Sequence, residues 1–325
     1  MPGTPGGGPG GGRPLDNGLD VAVIGEPDGW HVGRLLAALA ARGHRGRLVR
    51  WADVAAEVCA AAGGTGTVGE RFFPAAIDQA AAVVVRSMPG GGLEEVIFRM
   101  DVLGRLAARG TPVINHPRAL EVAIDKYLSL ARLAAAGLPV PRTIVTQEPA
   151  SILEAWRALS EDCISKPLFG SQGRGLVRLT DRGSLDALLP RRADGGPQGG
   201  VAYLQEFVPH AGWDVRVLVV GKTTLSIRRI AAPGEWRTNV SLGGRPEAFE
   251  PPAEWVDLAI QSARAVGAEI AGVDLLPALD GRLLVLEVNA VPGWRGLESA
   301  TGIDVSAAVV RHLESRSEST SQAGA

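Results

Sequence analysis

The stretch that decides the fold reads AGVDLLPALDGRLLVLEVNAVPGW, from Ala271 to Trp294. Two apolar, β-favouring runs flank Asp280-Gly281, a dipeptide that marks a tight hairpin turn. In a hairpin symmetric about that pair, Asp274 stands opposite Glu287, and Asn289 lies two residues along on the same face. Two carboxylates and an amide then share one surface. Like charges facing each other on a hairpin repel unless a cation lies between them, and an all-oxygen set suits Mg²⁺, above all Mg²⁺ carrying nucleotide phosphates. The run reads as one wall of a metal-nucleotide site, with a solvated polar face as the alternative. The reading hangs on register, because an odd-length or asymmetric loop around Asp280-Gly281 slips the pairing and turns one acid to the other face.

Working outward, Cys163 to Pro167 reads as a strand ending at Lys166 and entering the glycine-rich PLFGSQGRGLVRL. Gly170, Gly173 and Gly175 let backbone N–H groups wrap phosphate oxygens, with Lys166 supplying charge at the base. No G-x-x-x-x-G-K-[ST] occurs in the chain, so a glycine-rich hairpin lid describes the run better than a Walker loop; a flexible hairpin tip is the alternative. Lys126, in the helical IDKYLSLARL, reads as a surface lysine when taken alone. The strand from Leu204 to Val208 offers backbone groups to an adenine edge, with Glu206 as a further acceptor and Phe207 as packing; an ordinary core strand fits equally. Asp214, Arg216, Arg228, Arg229, Arg237 and Asn239 are an unusually polar set for segments rich in Val and Leu. Several arginines together point to anionic substrates, because a guanidinium keeps its charge and grips carboxylate or phosphate in pairs of bonds.

The remaining chain frames these segments. From Asp20 to Asn115 strands alternate with helices, which predicts a small parallel sheet with helices packed on it. GEPDG at Gly25 is not G-x-G-x-x-G, so a dinucleotide fingerprint is absent. After His116-Pro117 the run ALEVAIDKYLSLARLAAAG is predicted as one helix. The expected division is a disordered Gly/Pro arm at 1–18, an α/β unit at 19–116, a two-part unit at 117–200 and 201–314, and a disordered polar tail at 315–325. A length of 325 residues with a net charge of −2 suits two or three packed units and argues against a nucleic-acid or membrane-surface partner. Cys59 and Cys163 are too far apart for a zinc site or a disulfide framework, and none of the five histidines has metal-ligand spacing. Neither a membrane-spanning run nor a signal peptide is visible, which makes a reducing cytoplasm the expected compartment.

The order Lys126, Lys166 with GSQGRG, QEFV, Asp214, R-T-N at Arg237, then GVD and LEVNAVPG resembles the ATP-grasp superfamily, and within it the RimK-like amino-acid ligases. The resemblance runs from Asn115 to Leu313. It implies an ATP-grasp fold, α/β with an α+β C-terminal part, preceded by a parallel-sheet domain. It implies that Lys126, Lys166 and the loop residues Gly170, Ser171, Gln172, Gly173 and Gly175 hold ATP phosphates, that Glu206 and Phe207 meet adenine, and that Asp214 and Asn239 lie along the nucleotide. Asp274, Glu287 and Asn289 match ligands of Mg²⁺, two ions in all, with Mn²⁺ an alternative. Arg216, Arg228 and Arg237 match positions that hold phosphoryl groups or the substrate carboxylate. The implied reaction is carboxylate-amine ligation through an acyl phosphate, with L-glutamate as amine. VVVRSMPGGGLEEVIFRMD and VNAVPGWRGLE look like the branch that acts on tetrahydromethanopterin-type pterins. A protein C-terminus, another small coenzyme, or a non-catalytic ATP-binding interaction module are the alternatives, and a homo-oligomer is the family-level expectation. Trp294 reads equally as packing or as a wall of the acceptor pocket.

Overall fold

The computed structural model describes residues 18–59, 69–170, 173–193 and 200–323. The expected N-terminal arm therefore lies, apart from Gly18, outside the described residues, as do Ser171, Gln172 and most of the glycine-rich tip at 194–199.

The first unit contains β1 (Asp20–Ile24), α1 (Trp30–Ala41), β2 (Arg45–Val49), β3 (Ala55–Cys59), β4 (Gly69–Phe73), α2 (Ala75–Asp78), β5 (Ala82–Val85), α3 (Leu93–Ala108) and β6 (Val113–Ile114). Four of the strands form a parallel sheet in the order β2-β1-β5-β6, and β3 and β4 form a separate hairpin. Both faces of the sheet are covered, which is why DVAVI and AVVV are almost continuously apolar. Ala22, Ile24, Val83 and Val85 face α3, whereas Val21, Val23 and Val84 face α1 and the C-terminal helix.

The run expected as one helix is two, α4 (Pro117–Ile124) and α5 (Lys126–Ala135). Asp125 breaks it: its backbone is extended, and its side chain accepts hydrogen bonds from the Tyr127 and Leu128 N–H groups at 2.8 and 3.1 Å. An aspartate offers that cap more readily than it continues a helix. Lys126 thereby becomes the first residue of α5.

Next come β7 (Thr143–Thr146), α6 (Pro149–Ala158), β8 (Cys163–Lys166), β9 (Val177–Leu179), α7 (Arg182–Ala193) and β10 (Ala202–Glu206). The strands form an antiparallel sheet ordered β7-β10-β8-β9. The expected division between 200 and 201 cuts this unit, because β10 is bonded on both sides by β7 and β8. Trp156, Leu159, Cys163, Leu179, Leu185 and Leu204 give the sheet and its two helices their own apolar cluster.

The third sheet, ordered β13-β12-β11-β14-β15, is antiparallel and is built from β11 (Trp213–Val220), β12 (Thr223–Ile230), β13 (Arg245–Ala248), β14 (Ile270–Pro277) and β15 (Leu283–Asn289), with α8 (Ala253–Val266) on one face. α9 (Arg295–Thr301) and α10 (Val305–Ala323) follow. Leu218, Val220 and Ile270 of this sheet share a cluster with Val21, Val23 and Val84 of the first sheet through α10, so the two sheets are held as one body. The tail expected to be disordered from Ser315 continues as α10 to Ala323. SRSESTSQA contains no Pro or Gly to stop it, and Glu314 is anchored by Arg42 and His44. Among the described residues no helix is long and apolar enough to cross a membrane.

Candidate active site

The β14–β15 hairpin does not have a symmetric two-residue loop. Ala278 N–H donates to the Arg282 carbonyl at 2.8 Å, and Gly281 takes φ +88°, a left-handed value that favours glycine. The odd-length loop slips the ladder by one, pairing Pro277 with Leu283, Leu276 with Leu284 and Leu275 with Val285. A β-bulge between Leu275 and Asp274 then leaves Leu286 without a partner, and Asp274 faces Glu287, with Asn289 opposite Gly272.

The pairings Arg229↔Asp214, Arg216↔Asp274 and Asp274↔Glu287 place five charged side chains on one face of β12, β11, β14 and β15. Arg216 Nε and Nη2 donate to Asp274 Oδ1 and Oδ2 at 2.7 Å each, and Arg229 Nη2 lies 2.9 Å from Asp274 Oδ2. Arg229 Nε also donates to Asp214 Oδ1 at 2.7 Å and its Nη2 to Oδ2; Thr238 Oγ1 donates to the same Oδ2 at 2.7 Å. Burial would raise the Asp274 pKa, but the Arg216 and Arg229 guanidiniums outweigh it and hold the carboxyl below its ordinary range. Burial opposes the Arg229 charge in the same way, and Asp214 and Asp274 more than restore it.

Arg228 is not on this face. Strand alternation turns it to the other side, where Nη2 donates to Glu247 Oε2 at 2.8 Å and the guanidinium sits over the Trp213 and Phe249 rings. The expectation that Arg228 serves the site is therefore corrected, and its neighbour Arg229 occupies that place.

A cleft separates this face from the β7–β10 sheet. Lys126, Lys166, Gly170, Gly173, Glu206, Phe207, Asp214, Arg237, Asn239, Asp274 and Glu287 all line it; Gly175, Arg216 and Asn289 do not. Lys126 Nζ donates to the Gly170 carbonyl at 2.6 Å, tying α5 to the loop between β8 and β9. Lys166 Nζ donates to Gln205 Oε1 at 2.6 Å, and Gln205 is steadied by donating to Thr143 Oγ1 at 3.0 Å. Gln205 was given no role from the sequence, and Arg229 was named there only within the polar set; the signal for Gln205 is its place on β10 two pairs from the Tyr203↔Lys166 partners, on the same face. Burial pushes the Lys166 ammonium down to about 8 and lowers Lys126, with Glu287 opposing both shifts.

At the other end, Glu206 Oε1 accepts from the Arg142 N–H at 3.0 Å and from Arg282 Nη1 at 3.3 Å. The Phe207 ring lies 3.3 Å from the Arg178 guanidinium carbon and meets Trp236 edge-on. Arg237 is paired with Glu235, through Nε at 3.0 Å and through Nη2, and these bonds hold Glu235 down at about 2. Gly173, at φ +71°, passes so close to Asn239 that a Cβ there would stand 2.5 Å from the amide oxygen.

The donor set fits a hard cation. Glu287 has no hydrogen bond or ion pair with the described residues, Asp274 Oδ1 accepts only from Arg216, and Asn289 Oδ1 accepts only the Val291 N–H at 2.8 Å. Among the described residues there is no cluster of three or more His, Cys, Asp or Glu side chains placed to hold a metal, and the oxygen donors expected here are two acids and an amide.

Comparison with known proteins gives concordant matches. Residues 123–313 match the family described as the RimK-like ATP-grasp domain. The chain is 33% identical over 261 residues to the tetrahydromethanopterin:α-L-glutamate ligase of Methanosarcina acetivorans, covering 72% of this chain and 79% of that one. It is 35% identical over 233 residues to a probable α-L-glutamate ligase of Mannheimia succiniciproducens, covering 70% and 76%. Among solved structures it resembles the ATP-grasp ligase PsnB complexed with a phosphomimetic variant of its minimal precursor, Mg and ADP, with a TM-score of 0.71 and 27% identity over 92% of this chain and 99% of that chain. It also resembles a RimK domain ATP-grasp protein from Sphaerobacter thermophilus, with a TM-score of 0.68 and 25% identity over 90% and 98%.

Proposed function

We propose a reaction for this chain from one premise: it belongs to the RimK-like ATP-grasp family and is a ligase that forms carbon-nitrogen bonds. In the proposed reaction an acceptor carboxylate oxygen attacks the γ-phosphorus of ATP and ADP leaves. The amino group of L-glutamate then attacks the acyl carbon, phosphate leaves, and an amide remains.

The observation that carries this reading is the face shared by Asp214, Arg216, Arg229, Asp274 and Glu287, opposed across one cleft by Lys126 and Lys166. Lys126, Lys166 and the backbone at Gly170 and Gly173 hold phosphate oxygens, Glu206 and Phe207 border the adenine end, and Asn239 lies against Gly173. Asp274, Glu287 and Asn289 hold Mg²⁺, which when bound neutralises phosphate charge. Two ions are expected, with Mn²⁺ a workable substitute. Arg237 at the cleft wall stabilises the negative charge that develops on the transferred phosphoryl group and on the acyl oxygen, and Arg216, just outside the lining, supports that charge through its paired bonds to Asp274. Arg229 acts one step back, fixing Asp214 and Asp274. The β7–β10 unit, with its separate apolar cluster, closes over the intermediate and keeps water out.

The acceptor is proposed to be a tetrahydromethanopterin-type pterin carboxylate, and the compartment the cytoplasm. The likeness to the Methanosarcina acetivorans ligase supports the pterin. A peptide carboxylate is the second reading, favoured by the likeness to PsnB with its bound precursor. The test is incubation with ATP, Mg²⁺ and L-glutamate and, in turn, a pterin acceptor and a peptide. ADP, phosphate and a mass gain of one glutamyl residue are expected on the pterin. A gain on the peptide alone would select the second reading, and AMP with pyrophosphate would overturn both.

A further inference from the structure

The parallel sheet changes direction between β1 and β5, since β1 connects through α1 to β2 on one side while β5 lies on the other. Loops that leave the carboxyl ends of two such strands part, and the crevice between them is where open α/β sheets take ligands. Here Gly25 borders the crevice after β1 and Arg86 after β5. A Cβ on Gly25 would lie 3.5 Å from that of Arg86 and 2.5 Å from Val32 Cγ2, which brings the first turn of α1 to the same place. The third border is the turn that follows Asn289. Arg86 Nη2 donates to the Pro292 carbonyl at 2.7 Å, the Arg86 guanidinium carbon lies 4.1 Å from the Trp294 ring centre, and Trp294 N–H donates to His31 Nε2 at 2.9 Å.

Arg86 has no carboxylate partner among the described residues, and its Nε is buried without an acceptor, as are Ser87 Oγ and Trp294 Nε1. Buried donors of this kind are normally satisfied, and Arg86 Nε and Trp294 Nε1, on two side chains that stack on each other, both lack an acceptor. Arg295, whose guanidinium lies 5.9 Å from the Trp30 ring centre, likewise has no ion pair among the described residues. The acids Glu298 and Asp304 pair with Arg34 at 3.2 and 3.3 Å, and Glu26 and Asp28 lie in the loop between β1 and α1. α1 has Gly29 as its N-cap, with no side-chain cap and no acid in its first turn, which leaves its N-terminal N–H groups open to an anion. Burial, with Arg86 and Arg295, pushes His31 down to about 4, which keeps its ring neutral and its Nε2 an acceptor for Trp294.

A Cβ on Gly272 would lie 3.1 Å from Pro292 Cβ and 3.6 Å from Arg216 Nε, so the turn that Arg86 holds through Pro292 packs against β14 beside Arg216.

We propose that Arg86, with the first turn of α1 and Trp294, forms a carboxylate-recognition subsite for the incoming amino acid, holding one of its carboxylates while its amino group faces the Arg216–Asp274 end of the cleft. This rests on the ligase reading above. A planar guanidinium matches a carboxylate with paired bonds, and its buried setting makes an unmatched charge costly.

Binding of L-glutamate, L-glutamine and 4-aminobutyrate to the full chain, loaded with a non-hydrolysable ATP analogue and Mg²⁺, tests the proposal by calorimetry. Arg86→Gln should weaken L-glutamate at least tenfold while leaving the nucleotide analogue's affinity unchanged. The two other ligands each lack one carboxylate, and the one lacking the group that Arg86 holds should bind wild type and variant alike. Arg86→Lys, which keeps the charge and a donor for Pro292, should fall between and guards against misfolding of the first variant. Unchanged L-glutamate binding by both variants would overturn the subsite alone and leave Arg86 as an anchor of the turn. Equal weakening of all three amino acids and the nucleotide would also overturn it, as a general loss of structure. A wild type that binds nucleotide but no L-glutamate would overturn both the subsite and the glutamate assignment.

Discussion

Glu287 faces Asp274 across the β14–β15 ladder, yet only Asp274 is neutralised by the protein: Arg216 and Arg229 hold it, whereas Glu287 has no ion pair among the described residues. By register Asp274 lies between Arg216 and Glu287, whereas Glu287, on the edge strand β15, has only Asp274 opposite. Asp274 is fixed in place, and Glu287 is left with its charge available.

Removing that charge should therefore damage turnover more than nucleotide binding. Glu287→Gln keeps the shape and is expected to lower kcat by roughly 100-fold or more, the scale of losing one charge-stabilising group at a reacting centre. ADP affinity measured without metal should stay close to wild type. Turnover equal to wild type would remove Glu287 from the metal site.

Arg229 is the structural counterpart. It bonds Asp214 and Asp274 together while almost fully buried, so Arg229→Met leaves two buried carboxylates facing each other, with Thr238 and Arg216 their remaining donors. Breaking a buried pair by removing one partner costs about 3–5 kcal/mol. Urea unfolding should show a loss of that order; a loss like that of an exposed ion pair would mean the carboxylates have become protonated or solvated.

Lys166 predicts a pH dependence. Burial lowers its pKa to about 8 from the ordinary 10.5, with Lys126 acting in the same direction and Glu287 and Asp274 against it. The ammonium is present below about 8 and lost as pH rises through that value, so affinity for an ATP analogue should fall on the alkaline side. Lys166→Arg should flatten the profile, because a guanidinium stays charged throughout. Identical profiles for the two proteins would exclude Lys166 from phosphate binding.

Gly173 couples the lid loop to the floor of the cleft. Alanine there meets Asn239 and must hold a left-handed backbone, which costs on the order of 1–2 kcal/mol. Gly173→Ala should raise KM for ATP several-fold while the thermal midpoint of the main body hardly moves, since the lid's apolar cluster is separate from that of the two large sheets. A large drop in that midpoint with normal KM would place the role of Gly173 in folding.

Much of this was legible in the chain because it depends on period and on turn chemistry. Alternation alone puts Asp214 with Arg216 on one side of DVRVLVV, while the place of Asp274 and Glu287 beside them rests on strand pairing, which the slipped ladder and its bulge restore. Arg228 and Arg229 show the limit: adjacent arginines differ only in which face they take, and that is set by the pairing of Arg229 with Asp214, a contact fifteen residues away. The break at Asp125 and the continuation of α10 failed for a related reason. Apolar periodicity is blind to a side chain that prefers to cap, and to neighbours that hold a polar helix in place. Arg86 was invisible as a lone basic residue after a strand; its distinction is what surrounds it.

The hairpin's two irregularities offset one another. A two-residue tip without a bulge and a three-residue tip with one use the same number of residues between Asp274 and Glu287, and both set the acids face to face. This chain has the second arrangement, which moves the distortion from the solvent end of the ribbon to Leu286, the residue beside Glu287. A bulge bends its strand and sharpens the local twist. The angle at which Glu287 enters the cleft is thus set by a fault in the ladder, and a redesign that straightened the ribbon would keep the pairing of the acids while changing their aim.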